Sequence, residues 1–308
     1  MVLLMALIGL HLFHREPTEV SADPKTLEVA DEETIVEPDE PGMVEPPSLK
    51  IAELDGLVEI RRGAQEEWLE AREGQILDPS DSIRTAPGAT AELVAGDHLI
   101  ELLPATDVRV EELTVDLSRI LLGTGMVAAD ARLSKTDGRR LQVDVADTDV
   151  TAATDSGLFR VSSQESGLVA VGAEEGRVQV AARGSEVVLR GGEGTLIRPG
   201  EAPEKPSPLP ESLLLRVAWP TETETNKTRL MVSGRTAAGA LVFVAGRPVE
   251  VDERGRFRDE VALRDGRNRV GIEGMDVAGN HVASSSPVIV VDTRGSKAAF
   301  ETEGLWGE

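Results

Sequence analysis

Residues 141–180, LQVDVADTDVTAATDSGLFRVSSQESGLVAVGAEEGRVQV, decide the fold class. Leu141, Val143 and Val145 alternate with Gln142 and Asp144, Phe159 and Val161 flank Arg160, and Val178 and Val180 flank Gln179. A period of two sends successive side chains to opposite faces, so each run is a short strand with one buried face. Gly157, Gly167 and Gly176 separate the runs. Strands at intervals near ten residues with glycine turns between them predict an all-β domain of hairpins.

The same pattern extends in both directions. Upstream lie Val58-Glu-Ile60, Leu99-Ile-Glu-Leu102 and Val108-Arg-Val110; downstream lies Val187-Val-Leu189. Residues 111–122 fit either a helical turn or a further strand. The first β domain is therefore placed at residues 49–200, either as an open barrel-like sheet or as an elongated solenoid-like stack. Residues 201–210, EAPEKPSPLP, hold four prolines and predict an extended spacer, with a linker over 201–211. A second alternating pattern runs over 212–293, through Leu213, Leu215, Val217 and Trp219, then Leu230 and Val232, Val242 and Val244, Phe257, Val261 and Leu263, Val270 and Ile272, and Val288 and Val290. Short strands at this density are the signature of an immunoglobulin-like sandwich. A loose tail is expected over 294–308.

The N-terminal part differs. Residues 2–13 are apolar apart from Gly9 and His11. As a helix they span ~18 Å, short of a ~30 Å hydrocarbon core. Residues 1–15 are expected to form a membrane anchor or export signal whose upstream part precedes this sequence. Residues 16–48 hold 11 acids and one Lys, a net charge of −10, with six prolines. Acid and proline without hydrophobic periodicity predict an extended disordered tether.

Composition excludes several functions. The chain has 308 residues, no Cys, no Tyr, 3 Trp, 5 Phe and 4 His, and a net charge of −23. Without Cys there is no disulfide, thiolate nucleophile or Cys-ligated metal. The charge has the wrong sign for nucleic acid phosphates, and few aromatics are present on which bases or sugars could stack.

No catalytic, cofactor-binding or metal site is assigned. Asp144, Asp147 and Asp149 are close in sequence, but Asp144 alternates with valines and is expected to face water rather than a cation. Gly271-Ile-Glu-Gly-Met-Asp276 resembles a calcium repeat, yet it occurs once, where such repeats need several copies. His98 and His281 lie in different expected domains and lack visible partners for a metal site or a triad. Ser284-Ser-Ser286 has no adjacent base or nucleophile elbow, and Gly191-Gly-Glu-Gly194 is a turn before a strand, not a phosphate loop. Trp68 is expected to pack on the first hairpin and Trp219 to seal one end of the second domain; either becomes a binding anchor if exposed.

Several runs in 49–200 resemble the FecR family. They are Leu54-Asp-Gly-Leu-Val-Glu-Ile-Arg, Trp68-Leu-Glu-Ala71, Asp81-Ser-Ile-Arg-Thr85, Gly88-Ala-Thr-Ala-Glu-Leu93, Asp97-His-Leu-Ile-Glu-Leu-Leu-Pro-Ala-Thr106, Ser156-Gly-Leu-Phe-Arg-Val161 and Gly176-Arg-Val-Gln-Val180. His98 stands where the family pattern has Gly, and the Gly of its "GT-x-F" segment is shifted to Gly157. Residues 212–293 resemble bacterial Ig-like modules, carried by Val232-Ser-Gly-Arg-Thr236, Asp252-Glu-Arg-Gly-Arg-Phe257 and Asp276-Val-Ala-Gly-Asn280. Together the readings imply a non-enzymatic cell-envelope protein. It is held at the membrane by its N-terminus, displays two β domains on a tether, and serves protein binding or assembly. The partner expected is another envelope protein, with no nucleic acid and no cofactor; a small-molecule ligand is not identified. The FecR resemblance also implies envelope signalling to a sigma factor, which needs a cytoplasmic segment ahead of the apolar stretch. The Ig-like resemblance implies a glycan-binding accessory role, which needs an aromatic platform.

Overall fold

The computed structural model describes residues 48–133 and 139–293, and every regular element among them is a β-strand. The expected anchor, all of the acidic tether but Ser48, and the tail lie outside the described residues. The first part of the chain forms β1 (Leu49–Asp55), β2 (Val58–Arg61), β3 (Leu69–Glu70), β4 (Ile76–Leu77), β5 (Ser82–Thr85), β6 (Thr90–Ala95), β7 (His98–Leu102), β8 (Asp107–Leu113) and β9 (Leu117–Leu122). It continues with β10 (Gly125–Asp130), β11 (Arg140–Val145), β12 (Thr151–Thr154), β13 (Gly157–Ser163), β14 (Val169–Ala182), β15 (Ser185–Arg190), β16 (Glu193–Ile197) and β17 (Ser207–Pro208).

These seventeen strands are joined into one hydrogen-bonded system that folds as two layers. One layer runs β4–β1–β6–β7–β10–β13–β14–β16–β17, and the other runs β3–β2–β5–β8–β9–β11–β12–β14–β15. Strand β14 belongs to both. Val169–Ala173 pair with β13 and β16, whereas residues 177–182 pair with β12 and β15. The chain turns between layers at Gly176, whose φ of 78° suits glycine and whose Cβ, if present, would lie 2.3 Å from Ser156 O. One core fills the space between the layers, built from alternate residues such as Ile51, Ile60, Leu93, Ile120, Val143, Phe159 and Val180. The arrangement is two sheets that share β14 around one core. Residues 111–122, left open above, form the β8–β9 hairpin around Thr114–Asp116.

The second part forms β18 (Arg216–Val217), β19 (Glu224–Thr225), β20 (Arg229–Arg235), β21 (Leu241–Val244), β22 (Arg247–Val249), β23 (Arg256–Ala262), β24 (Gly266–Asn268), β25 (Gly271–Met275), β26 (His281–Ser285) and β27 (Ile289–Val291). They make three small sheets, β18–β20–β23, β19–β27–β24 and β22–β21–β25–β26. Val232, Val244, Phe257, Ile272 and Ile289 meet in a separate core. Trp219 is half-buried against that core.

The two parts are joined along the outer face of β10, β13 and β14. Strand β10 is buried on both faces: Val127 and Ala129 point into the first core, while Met126 and Ala128 pack against Leu241, Met275 and Val277. Buried Gln164 donates from Nε2 to Ala240 O at 3.1 Å and accepts from Val251 N–H at 3.0 Å. Ser162 Oγ donates to Gly239 O. At Gly172 the backbones come so close that a Cβ would lie 2.4 Å from Val277 O. The proline-rich stretch, expected as a spacer, is extended and tied to both sides. Its β17 pairs with β16, and Pro210 O accepts from Asn280 Nδ2 at 3.0 Å.

Gly172 points out of the first core, so Gly172→Val should leave that core intact and open the junction. The expected result is wild-type far-UV circular dichroism, a larger radius of gyration by X-ray scattering, and two thermal transitions in place of one. A single unshifted transition would show that the junction does not couple the parts.

Candidate functional site

The β18–β20–β23 sheet carries a row of arginines. Arg216 of β18 lies directly opposite Arg235 of β20, which lies directly opposite Arg256 of β23. Directly paired residues share a face, and neighbouring strands are ~4.8 Å apart, so three positive charges stand in line over roughly 10 Å. The next position inward, Val217–Gly234–Phe257, turns to the core, with Phe257 lying over Gly234. All three arginines are exposed. Arg258 adds a fourth charge to this face, across from Ser233, and donates from Nε to Met231 Sδ.

Partners are scarce here. Arg256 Nε binds Asp252 Oδ2 at 2.7 Å, and the backbone N–H groups of Arg254 and Arg256 also donate to that carboxylate. These bonds hold Asp252 below the usual carboxylate range, the Arg256 backbone N–H first among them. Arg216 and Arg235 form no ion pair or side-chain hydrogen bond among the described residues. Together with Arg256 and Arg258 they line a shallow cleft of about 690 Å³. Like charges directly opposite on a sheet are destabilising. By contrast, the outer row Glu59–Arg84–Asp107 on β2, β5 and β8 alternates in sign, and Arg84 Nη2 binds Glu59 Oε2 at 2.8 Å. Planar guanidinium forks aligned this way suit carboxylates, sulfates or phosphates.

The candidates weighed from the sequence lie apart from this row. Asp144 is half-buried on the outer face, hydrogen-bonded by Gln142 Nε2 at 2.7 Å, and burial raises its pKa. Asp147 and Asp149 lie in the following exposed turn, where Asp149 Oδ2 accepts from Arg183 N–H. Asp276 follows β25 and is buried; it accepts from Ala278 N–H, Asn280 N–H and Asn280 Nδ2. The Asp276–Asn280 turn thereby seats Gly279 beside Arg160 and Glu174 at the junction. His281 is exposed, 3.9 Å from Glu273. Ser286 is consumed internally, accepting from Val270 N–H and donating to Pro287 O. Gly191 and Gly192 form the β15–β16 turn, their N–H groups bound to Gly176 O and Ala173 O.

Trp68 is half-buried beneath two guanidiniums, Arg84 at 4.1 Å and Arg61 at 4.9 Å from its ring centroid. It packs on β2 and β5 through cation–π contacts worth ~0.5–2 kcal/mol each, not on a first hairpin, because β1 and β2 pair in different layers. The arginine row was missed because its members lie some twenty residues apart and register is invisible in one sequence. The one local signal was Arg254-Gly-Arg256-Phe-Arg258, a basic residue at every second position.

No protein-family model and no curated protein sequence matches the chain. Two solved structures of candidate anti-sigma factors from Parabacteroides distasonis ATCC 8503 match parts of it. One is 20% identical over 41% of this chain and 59% of that one, with a TM-score of 0.36. The other is 14% identical over 60% of this chain and 85% of that one, with a TM-score of 0.38. This chain thus spans 59% of the first structure's length. A polysaccharide lyase is 14% identical over 80% of this chain and 40% of its own, with a TM-score of 0.20.

His98 is a packed residue. It is 1% exposed, with Nδ1 3.3 Å from Ser118 Oγ, to which Arg139 Nη2 also donates at 3.1 Å. Burial and then the Arg139 charge lower its pKa to about 4, against the opposing pull of Asp97 and Asp130. The folded state therefore refuses a proton that the unfolded chain accepts below about 6.5. Its contribution to stability is fully present above pH ~6.5 and declines as pH falls to about 4, a loss of ~3 kcal/mol. Urea unfolding of wild type and His98→Leu between pH 4 and 7 should show a shallower pH slope in the variant; parallel slopes would refute the assignment.

Proposed function

We propose that this chain is a non-enzymatic binding and assembly protein of the cell envelope, with a FecR-like module over 49–200 and an Ig-like module over 212–293. Its docking face is the arginine row Arg216–Arg235–Arg256, and its partner presents carboxylates or other oxyanions on an envelope protein.

The observation that carries this reading is a like-charge register, with two of its three members unpaired, on an otherwise acidic chain. Three aligned arginines repel one another, and two of them form no ion pair among the described residues, although Asp252 lines the same cleft. An arrangement that lowers stability and exposes planar anion-binding forks is explained by a ligand that neutralises it. Placement of the Pro-rich stretch and the junction supports the assembly role, because a face held against a second folded unit presents its charges with little loss of freedom on binding.

A short fluorescent poly-glutamate peptide should bind the full chain and shift its fluorescence anisotropy. Binding should fall by more than ~10-fold in R216E/R235E and weaken steeply with salt. Equal binding by both proteins would overturn the docking face. A C-terminal tag that fractionates with membranes, and becomes protease-sensitive only when the outer barrier is opened, is the expected result for location. A tag protected until cells are lysed would place the same face on an intracellular protein. Loss of a sigma-factor response on deletion, with poly-glutamate binding unimpaired by R216E/R235E, would favour the regulatory alternative.

A further inference from the structure

The first part of the chain carries a second row of one sign. Glu53 of β1 lies directly opposite Glu92 of β6, which lies directly opposite Glu101 of β7. All three face outward: Glu53 and Glu101 are exposed and Glu92 is half-exposed. None is ion-paired or hydrogen-bonded among the described residues, although Glu101 lies in the field of Arg160. With Asp55 they line a shallow depression of about 170 Å³. The described carboxylates form no group of three able to hold a metal ion.

We propose that this glutamate row receives the arginine row of a second copy of the chain. The inference rests on the reading of Arg216–Arg235–Arg256 as a docking face, and names its partner. Both rows cross three adjacent antiparallel strands, so both repeat at the strand spacing of ~4.8 Å. Laid face to face in one orientation, each guanidinium meets a carboxylate in turn, which no single ion pair would specify. The two rows lie on different parts of the molecule, so the contact is heterologous: each copy uses its arginines on one neighbour and offers its glutamates to another. The product is an open, polar chain of molecules or a ring, not a two-fold dimer.

Net charge opposes the contact. Each chain carries −23, and such chains repel at long range. Salt separates the two effects. At ~0.15 M the Debye length is ~8 Å, so distant repulsion is screened while charges in contact are not; at ~1 M it is ~3 Å and the contacts weaken too. Self-association is therefore strongest at intermediate salt.

Sedimentation velocity of the full chain over a concentration series tests this. Wild type should show a mass that rises with concentration at ~0.15 M salt and returns to monomer at ~1 M. R216E/R235E alone and E92R/E101R alone should each weaken association by more than ~10-fold. An equimolar mixture of the two should associate again, since the native arginines of the second meet the native glutamates of the first. Recovery on mixing also shows that both variants are folded. Wild type that stays monomeric at every salt and concentration, or variants that associate as wild type does, would overturn the inference. If R216E/R235E still abolished poly-glutamate binding in that event, the docking face would stand and only its partner would change. If poly-glutamate binding were lost in neither protein, the docking face itself would fall.

Discussion

Everything distinctive in this structure depends on one condition: the outer face of β10, β13 and β14 has no solvent to face. A strand buried on both sides cannot carry charge on either, so β10 reads Gly-Met-Val-Ala-Ala-Asp, polar only at its last residue. Where another backbone lies directly against the covered face, the side chain is short or absent. Gly172 meets Val277 O, Gly239 meets Ala170 Cβ, and Ala128 sits under the second unit. Several of the polar atoms that enter are matched by hydrogen bonds. Gln164 satisfies a carbonyl and an amide across the junction, as a buried amide must if its desolvation is to be offset. Arg160 enters with Glu174, and its burial pulls its pKa down while Glu101 and Asp276 push it back. Matched hydrogen bonds and backbone-close glycines specify one geometry, which greasy contact alone would not.

That fixed geometry gives the charge rows their meaning. Surface pairs on a flexible chain are worth little, since ordering the side chains consumes most of the gain. On a sheet, cross-strand register does the ordering. In Glu59–Arg84–Asp107 the signs alternate: Arg84 pairs with Glu59, and Trp68 lies under its guanidinium. Where signs repeat over three strands, as in Arg216–Arg235–Arg256 and Glu53–Glu92–Glu101, the cost is left standing. Like charges also face each other over two strands, Arg177 opposite Arg190 and Glu59 opposite Glu70, so what marks these two rows is their extension over a third strand.

The sequence disclosed the first kind of information and concealed the second. Alternation located β2, β7 and β11 because each has one wet face and one dry, and β13 because half-buried Arg160 stands between Phe159 and Val161. It did not locate β10, whose two dry faces erase the period, nor β12, whose Thr-Ala-Ala-Thr is too small to show one. The β8–β9 hairpin stayed ambiguous because Glu111 and Glu112 interrupt the alternation where the register shifts by a bulge. Asp276-Val-Ala-Gly-Asn280 was legible as a turn, but its place against Arg160 depends on a partner more than a hundred residues away in sequence. The arginine row is the extreme case. Each member is an unremarkable exposed residue, and only the pairing of β18 with β20 and of β20 with β23 brings them into line.

The junction and the rows then form one argument. If the two parts of the chain turned freely about the proline-rich stretch, a molecule could fold its own arginines toward its own glutamates and neutralise both. The structure forecloses this in three ways: β17 is paired to β16, Pro210 is held by Asn280, and Gln164 clamps Ala240 and Val251. With that freedom removed, opposite charges on one molecule stay apart, and each row keeps its capacity for something outside. A rigid body with a positive row on one unit and a negative row on the other is polar in the way that head-to-tail assembly requires. In the proposed assembly the covered face of β10, β13 and β14 would contact no partner, yet it is what keeps the two rows from satisfying each other.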